Sequence, residues 1–69
     1  MSTINGKLIR EKRKAMVPSL TQEGLAREAG VTLQTIWNLE KDNGGGARVD
    51  TLGAVARALG CTVDDLIVD

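Results

Sequence analysis

Residues 20–41 read LTQEGLAREAGVTLQTIWNLEK, and this stretch decides the fold. Thr21 is a candidate N-cap for a first helix, because its hydroxyl can accept a hydrogen bond from a free amide of the first turn. Gly30 ends that helix, since glycine adopts the left-handed conformation without strain. After a connection of only two residues, Thr32 caps a second helix over 32–41. The stretch therefore predicts two short helices joined by a tight turn.

Two helices joined in this way form the helix-turn-helix arrangement, and the small residues Ala26 and Gly30 would let them cross closely. The second helix of such a pair fits the major groove of DNA. There Gln and Asn pair with adenine through two hydrogen bonds, and apolar groups touch the methyl group of thymine. We predict base contacts from four outward residues near the start of this helix: Leu33, Gln34, Thr35 and Asn38.

Each of these residues also has a structural alternative. Gln34 and Asn38 could be solvated helix residues, and Leu33 could pack at the helix start instead of touching thymine. Trp37 could stack on the sugar–phosphate backbone, pack beside the first helix or contact a partner, and the rim of the core is its simplest position. Cys61 stands where a small apolar residue fits, so we expect a buried, unreactive thiol.

Three more helices are predicted outside this pair, and no strands. The first covers about 5–17 and ends before Pro18, because the residue before a proline avoids helical angles. The next carries apolar residues at helical spacing over 52–59. A short last helix over 63–67 follows a capping box with Asp in the Glu position. The sequence therefore predicts a compact, all-α domain of five helices that covers residues 1–69.

Composition favours a binding protein over an enzyme. The chain has 69 residues, one cysteine, no histidine and no tyrosine. Without histidine, the commonest acid–base group and the His-activated nucleophiles are absent, and one cysteine alone forms neither an intramolecular disulfide nor a structural zinc site. No apolar run is long enough for a transmembrane helix, and the N-terminus lacks a signal-peptide pattern. We expect a reduced, cytoplasmic, non-enzymatic protein without a metal, a cofactor, a membrane association or a small-molecule ligand.

Charge is balanced overall but uneven along the chain. Nine Lys and Arg residues match nine Asp and Glu residues, so the formal net charge is zero. Residues 1–48 hold eight basic and five acidic residues, which is +3, whereas residues 49–69 hold one basic and four acidic residues, which is −3. A basic N-terminal part suits contact with a polyanion through one face of the protein. The alternative is that these charges lie on a solvated helix face without a partner.

Several separated motifs resemble the Cro and phage-repressor family of helix-turn-helix proteins, also called the XRE family. They are the segment 20–32, Thr35-Ile36, Leu39-Glu40, Thr51-Leu52, Ala56, Ala58-Leu59-Gly60 and Val63-Asp64-Asp65-Leu66. The resemblance covers about residues 6–67, with the helix-turn-helix at about 21–41. It implies a five-helix, lambda-repressor-like domain that binds a palindromic operator in double-stranded DNA as a homodimer. A repressor encoded by a bacterium or a phage is the role that this resemblance implies.

The resemblance also assigns roles to individual residues. It places Arg13 and Glu40 as a structural pair that joins the first helix to the end of the third. The DNA-contacting positions lie at the start of the second helix, on the third helix and in the loop that follows: Thr21, Gln22, Thr32, Leu33, Gln34, Thr35, Asn38, Lys41, Asn43 and Arg48. The sequence departs from the family at Gly24, where Glu is usual, and in the loops at 14–19 and 44–46, which are longer than usual.

The C-terminal part, which is acidic and apolar, is the candidate dimer surface. Its apolar residues are Leu59, Val63, Leu66, Ile67 and Val68, for which covering the core is the alternative role. A different class of function also fits this fold, because fold alone does not determine function. In that alternative the chain is a protein-interaction module, such as an antitoxin or an assembly partner, on a helix-turn-helix scaffold.

Overall fold

The computed structural model describes residues 3–41 and 48–68. Its elements in chain order are β1 (Thr3–Ile4), α1 (Gly6–Ala15), α2 (Gln22–Ala29), α3 (Leu33–Lys41), α4 (Val49–Leu59), a 3₁₀ helix (Val63–Leu66) and β2 (Ile67–Val68). Helix α1 ends two residues earlier than predicted, because Met16 is already extended, with ψ of 154°. The predicted contact residue Asn43 and the long loop at 44–46 lie outside the described residues.

The two ends of α2 follow the predicted chemistry. The Thr21 hydroxyl accepts a hydrogen bond from the Gly24 amide at 3.0 Å. Gly30 has a φ of 72°, and the Val31 amide that follows donates to the Ala26 carbonyl at 2.9 Å. A Cβ on Gly30 would meet no atom within 4 Å. This glycine is therefore needed for its backbone angle, and the prediction that it allows a close helix crossing was wrong.

The close approach between helices occurs at Gly6 instead. Gly6 is the first residue of α1, and a Cβ there would lie 2.5 Å from the carbonyl oxygens of both Leu39 and Glu40. Asn5 begins the helix just before it, since the Asn5 Oδ1 accepts from the Lys7 amide at 3.0 Å. The absence of a side chain at Gly6 thus lets the start of α1 rest against the last turn of α3.

The C-terminal segment differs from the predicted fifth helix. Within the described ranges there are four α-helices, and residues 63–66 form a single 3₁₀ turn. The predicted capping box closes this turn: the Thr62 amide donates to the Asp65 carboxylate at 3.0 Å, and the Asp65 amide donates to the Thr62 hydroxyl at 3.3 Å. The chain then extends, and Ile67 pairs with Ile4 in an antiparallel ladder. The prediction of no strands was wrong, because a two-residue pair is too short to give a periodic signal.

One hydrophobic core is formed by all four α-helices and the 3₁₀ turn. Its largest fully buried side chains are Ile9, Leu25, Ile36, Leu39, Val55 and Leu66. None of the helices in the described part of the chain is long and apolar enough to cross a membrane.

Burial in the core removes two residues from the predicted dimer surface. Leu59 and Leu66 are buried in this core, so they are not available to a second copy. A chain this short needs its few large apolar residues inside. Val63 and Ile67 are partly buried, and the side chain of Val68 is not among those described.

Candidate nucleic-acid interface

The outer side of α3 presents two amide side chains next to each other. Gln34 is exposed and Asn38 is partly exposed, one helical turn further along. The Gln34 Nε2 donates to the Asn38 Oδ1 at 3.1 Å. Neighbouring amides of this kind carry the donors and acceptors that match the major-groove edge of adenine. The structure thus brings the two predicted base-reading amides together at the surface.

Thr32 and Thr35 fix the start of α3. The Thr32 hydroxyl accepts from the Thr35 amide at 3.2 Å, and the two hydroxyl oxygens lie 2.9 Å apart. The predicted N-cap is therefore present. Because the hydroxyls are bonded locally, their first role is to set where the helix begins, and this places Gln34 in the first turn.

A hydrogen-bond network joins α1, α2 and α3. The Arg13 Nε donates to the Glu40 Oε2 at 2.8 Å, and the Arg13 Nη2 donates to the Glu40 Oε1 at 3.1 Å. Arg13 is only 8% exposed, and its Nη1 donates to the Leu20 carbonyl at 2.9 Å. The Gln22 Nε2 donates to the same Glu40 Oε1 at 3.3 Å. The predicted structural pair is present, and it also holds Gln22, which the family resemblance placed near phosphate.

A shallow groove of about 480 Å³ lies where α1, the start of α2 and the end of α3 meet. Its charged lining residues are Arg10, Arg13, Lys14, Glu40 and Lys41. The Lys41 Nζ also lies 4.3 Å from the centroid of the Trp37 ring, within range of a cation–π interaction. Because Glu40 neutralises only Arg13, the groove is positively charged and suits a phosphate group.

Sequence reasoning did not find this groove, because its walls come from segments that are far apart in the chain. Local spacing marks only parts of it: Trp37 and Lys41 lie one helical turn apart on α3, and Arg10 and Lys14, for which the sequence leaves a phosphate contact or a solvated face open, lie one turn apart on α1.

Two large apolar side chains are exposed beside the amides. Leu33 is 43% exposed and Trp37 is 44% exposed, on successive turns of α3. With Gln22 and Gln34 they line a shallow pocket with a volume of about 430 Å³. Trp37 faces outward, as the helical spacing indicates, but it is exposed and not packed at the rim of the core as expected, because α3 buries the side that carries Ile36 and Leu39.

The predicted backbone contacts at the end of α3 and the start of α4 are accessible. Lys41 and Arg48 are both exposed. The Arg48 Nε lies 3.7 Å from the Asp50 Oδ1, and both side chains are well exposed. An ion pair this loose contributes little and leaves the guanidinium available to a phosphate.

Cys61 is partly buried, whereas we expected it to be buried. Burial raises the pKa of the Cys61 thiol, which keeps it protonated at neutral pH. No group of three His, Cys, Asp or Glu residues that could hold a metal ion is found within 3–41 and 48–68.

Comparison with known protein families identifies the class to which this arrangement of helices belongs. The helix-turn-helix family model matches residues 9–66, which is most of the chain, and the chain belongs to this family. Within that class it is a protein of the Cro and phage-repressor, or XRE, type, as the separated sequence motifs predicted. Family membership supports a DNA-binding regulator in general terms. No curated protein sequence matches the chain.

Similar solved structures belong to an enzyme with a longer chain. Apo-HppE matches 96% of this chain with a TM-score of 0.77 and 25% identity. Hydroxypropylphosphonic acid epoxidase from S. wedmorenis matches with a TM-score of 0.77, and its complex with fosfomycin matches with 0.76, both at 25% identity and over 96% of this chain. The present chain spans only about a third of these longer chains, at 36%, 35% and 35%.

Proposed function

We propose that the protein is a sequence-specific transcriptional regulator that inserts α3 into the major groove of double-stranded DNA. The observation that carries the proposal is the accessible Gln34–Asn38 amide pair on α3. This pair stands on a helix whose last turn is fixed to α1 by the Arg13–Glu40 ion pair. A rigid helix is the support that base readout needs, because hydrogen bonds to base edges depend on precise distance and angle.

Affinity and selectivity come from different residues in this proposal. Lys41, Arg48 and the basic groove contact phosphates, which gives binding without sequence preference. Gln34 and Asn38 add discrimination, since each good bidentate pair with a base contributes about 1–3 kcal/mol. The role we infer is repression, through occupancy of an operator.

A homodimer on a palindromic operator completes the proposal. A single small domain makes few base contacts, and two copies would present α3 helices about 34 Å apart, which is one turn of DNA. With Leu59 and Leu66 buried in the core, Val63 and Ile67 are the partly exposed candidates for a contact between copies among the side chains that the structure describes.

Selection of bound sequences from a random pool of DNA duplexes tests this proposal. We expect enrichment of one sequence made of two inverted half-sites, with binding that weakens as salt rises. Enrichment of a single half-site would reject the dimer while keeping the readout by α3. A chain that prefers no sequence at any salt concentration is not a sequence-specific regulator.

A second candidate function is a protein-interaction module. Two observations favour it: Leu33 and Trp37 expose apolar surface, and the similar fold in the HppE structures is one part of a longer enzyme chain. On this account the pool would show no preferred sequence, and the protein that this antitoxin or assembly partner binds would cover the apolar residues.

In either function we infer a binding role and not a catalytic one for this chain, because it has no histidine for acid–base work.

A further inference from the structure

The only aromatic side chain of the protein is exposed. The chain has one tryptophan, no tyrosine and no phenylalanine, and Trp37 is 44% exposed. A small domain gains stability by burying its aromatic side chains, because they remove a large apolar area from water. Trp37 instead lies outside the hydrophobic core, beside the amide strip that Gln34 and Asn38 form on α3. This position points to a contact with a ligand.

Three cations lie in the basic groove that Trp37 borders. Arg10, Lys14 and Lys41 are exposed, and they line this groove together with the indole ring. The Lys41 Nζ is 4.3 Å from the centroid of the ring. A phosphodiester bound by these cations therefore lies next to an aromatic surface.

Trp37 also borders the shallow pocket of about 430 Å³, which has a different lining. Leu33 and the indole ring form its apolar wall, and Gln22 and Gln34 add side-chain amides. Lys41 lines the groove but not this pocket, so the ring surface toward the pocket is not covered by the cation. An apolar wall with amide groups beside it matches a nucleobase, which has a flat ring face and hydrogen-bonding edges.

We propose that the protein also binds single-stranded DNA, with one unpaired base stacked on Trp37 in the shallow pocket and the neighbouring phosphates in the basic groove. Proteins that bind single strands combine a cationic groove for the backbone with an aromatic ring for a base. The bases of a duplex are stacked on one another, so Trp37 stacks only on a base that has left the duplex. The groove and the pocket adjoin at Trp37 and Gln22, which lets one strand pass from one to the other.

This activity does not depend on the insertion of α3 into a duplex. The two binding modes share Gln34 and Lys41, so one copy of the protein binds either a duplex or a single strand through this surface.

The experiment titrates the protein with two single strands of eight nucleotides, an oligothymidylate and an abasic strand with the same number of phosphates. Fluorescence of Trp37 reports on the site directly, because the chain has no other tryptophan and no tyrosine. We expect the oligothymidylate to quench this fluorescence and to bind about tenfold more tightly than the abasic strand, the effect of one stacked base.

The same strands, carrying a fluorescent label, are then measured by anisotropy with Trp37→Leu, Trp37→Phe and, as a matched control, Val49→Ala. Val49 is an exposed apolar residue at the start of α4 and lines neither the groove nor the pocket. Trp37→Leu should bind both strands equally, whereas Trp37→Phe, which retains a ring, and Val49→Ala should keep the preference for the strand with bases. A merely structural role would lower the affinity for both strands alike and leave this preference unchanged.

The outcomes separate this inference from the proposed function. Equal affinity of the wild type for the two strands, binding without a change in Trp37 fluorescence, or a preference that persists in Trp37→Leu would each reject the stacking site. The regulator would still stand if the chain enriches one duplex sequence from the random pool. If the chain enriches no duplex sequence but prefers the strand with bases, the regulator is rejected and the single-strand activity stands.

Discussion

Glu40 joins three segments of the chain through its two carboxylate oxygens, which accept hydrogen bonds from Arg13 and Gln22. In the variant Glu40→Ala the buried Arg13 guanidinium loses its counter-charge. We expect the free energy of unfolding to fall by about 3–5 kcal/mol, as for other buried pairs that lose one partner. Urea unfolding followed by circular dichroism measures this change.

The double variant Arg13→Met with Glu40→Ala is the control for that experiment. The double variant removes the unpaired Arg13 guanidinium, so it should be more stable than Glu40→Ala alone. A loss of under about 1 kcal/mol in Glu40→Ala, the range of exposed pairs, would contradict the buried role of this ion pair.

Gly6 and Gly53 make a matched pair of glycines in the first and fourth helices. Gly6→Ala would place a Cβ 2.5 Å from two backbone carbonyl oxygens of α3, whereas Gly53→Ala would meet no atom within 4 Å. We expect Gly6→Ala to lower the free energy of unfolding by about 1–3 kcal/mol through overpacking. Gly53→Ala should raise it by about 0.5–1 kcal/mol through helix propensity. Equal stability of the two variants in urea unfolding would show that α1 does not rest on α3 at Gly6.

These residues show which constraints a sequence reveals. Thr21, Gly30 and Thr32 could be predicted because their hydrogen bonds and backbone angles involve neighbours within a few residues. Gly6 could not, because the atoms that exclude its side chain belong to Leu39 and Glu40. The Arg13–Glu40 pair was reached only through the family resemblance, since nothing local to either residue indicates it.

Among the elements, the 3₁₀ turn at 63–66 depends on one carboxylate. The Thr62 amide and then the Thr62 hydroxyl hold the pKa of Asp65 below its ordinary value. A carboxyl with a lowered pKa in the folded state stabilises the fold above its unfolded pKa, and this contribution is lost as pH falls through the folded pKa. Stability should therefore decline as pH falls below the ordinary pKa of an aspartate, in part through Asp65.

Asp65→Asn tests the link between this carboxylate and acid stability. The variant should be less stable than the wild type at neutral pH, and the difference should shrink as pH falls through the acid range. Thermal unfolding across that range measures it, with Asp64→Asn, a carboxylate outside the capping box, as the control. A difference that does not depend on pH would mean that the Asp65 charge has no part in holding the turn.

Helix limits were predicted best where both ends carry local signals. Helix α2 has the predicted Thr21 cap and the predicted end at Gly30, and α3 starts at the predicted Thr32 cap. The C-terminal element was predicted with the right cap and the wrong continuation. Ile67 turns to pair with Ile4, which is a contact between distant parts of the chain.

At the scale of the whole molecule, the proposed phosphate contacts predict the response to salt. Arg48→Ala should weaken binding to all DNA sequences alike, and the slope of log affinity against log salt should fall by about 0.9 per bound copy. Gel-shift titrations at several salt concentrations measure the slope. Arg57→Ala, in the last turn of α4, is the matched control and should leave it unchanged. An unchanged slope in Arg48→Ala would show that Arg48 does not contact a phosphate.

The interface as a whole was partly predictable. The amide strip followed from the helical period of α3, because Ile36 and Leu39 fix its buried side. The basic groove did not, because it depends on how three helices pack. The predicted dimer surface lost Leu59 and Leu66 for a related reason: a pattern of apolar residues does not distinguish a core position from a contact between copies.

The most direct test of the central claim compares two dissociation constants at one salt concentration. They are those for the enriched duplex and for a duplex of the same composition in scrambled order, measured with the wild type and with Gln34→Ala plus Asn38→Ala. If these amides read bases, the double variant binds the scrambled duplex as the wild type does and loses its preference for the enriched one. If the preference persists undiminished in the double variant, α3 does not read DNA through Gln34 and Asn38.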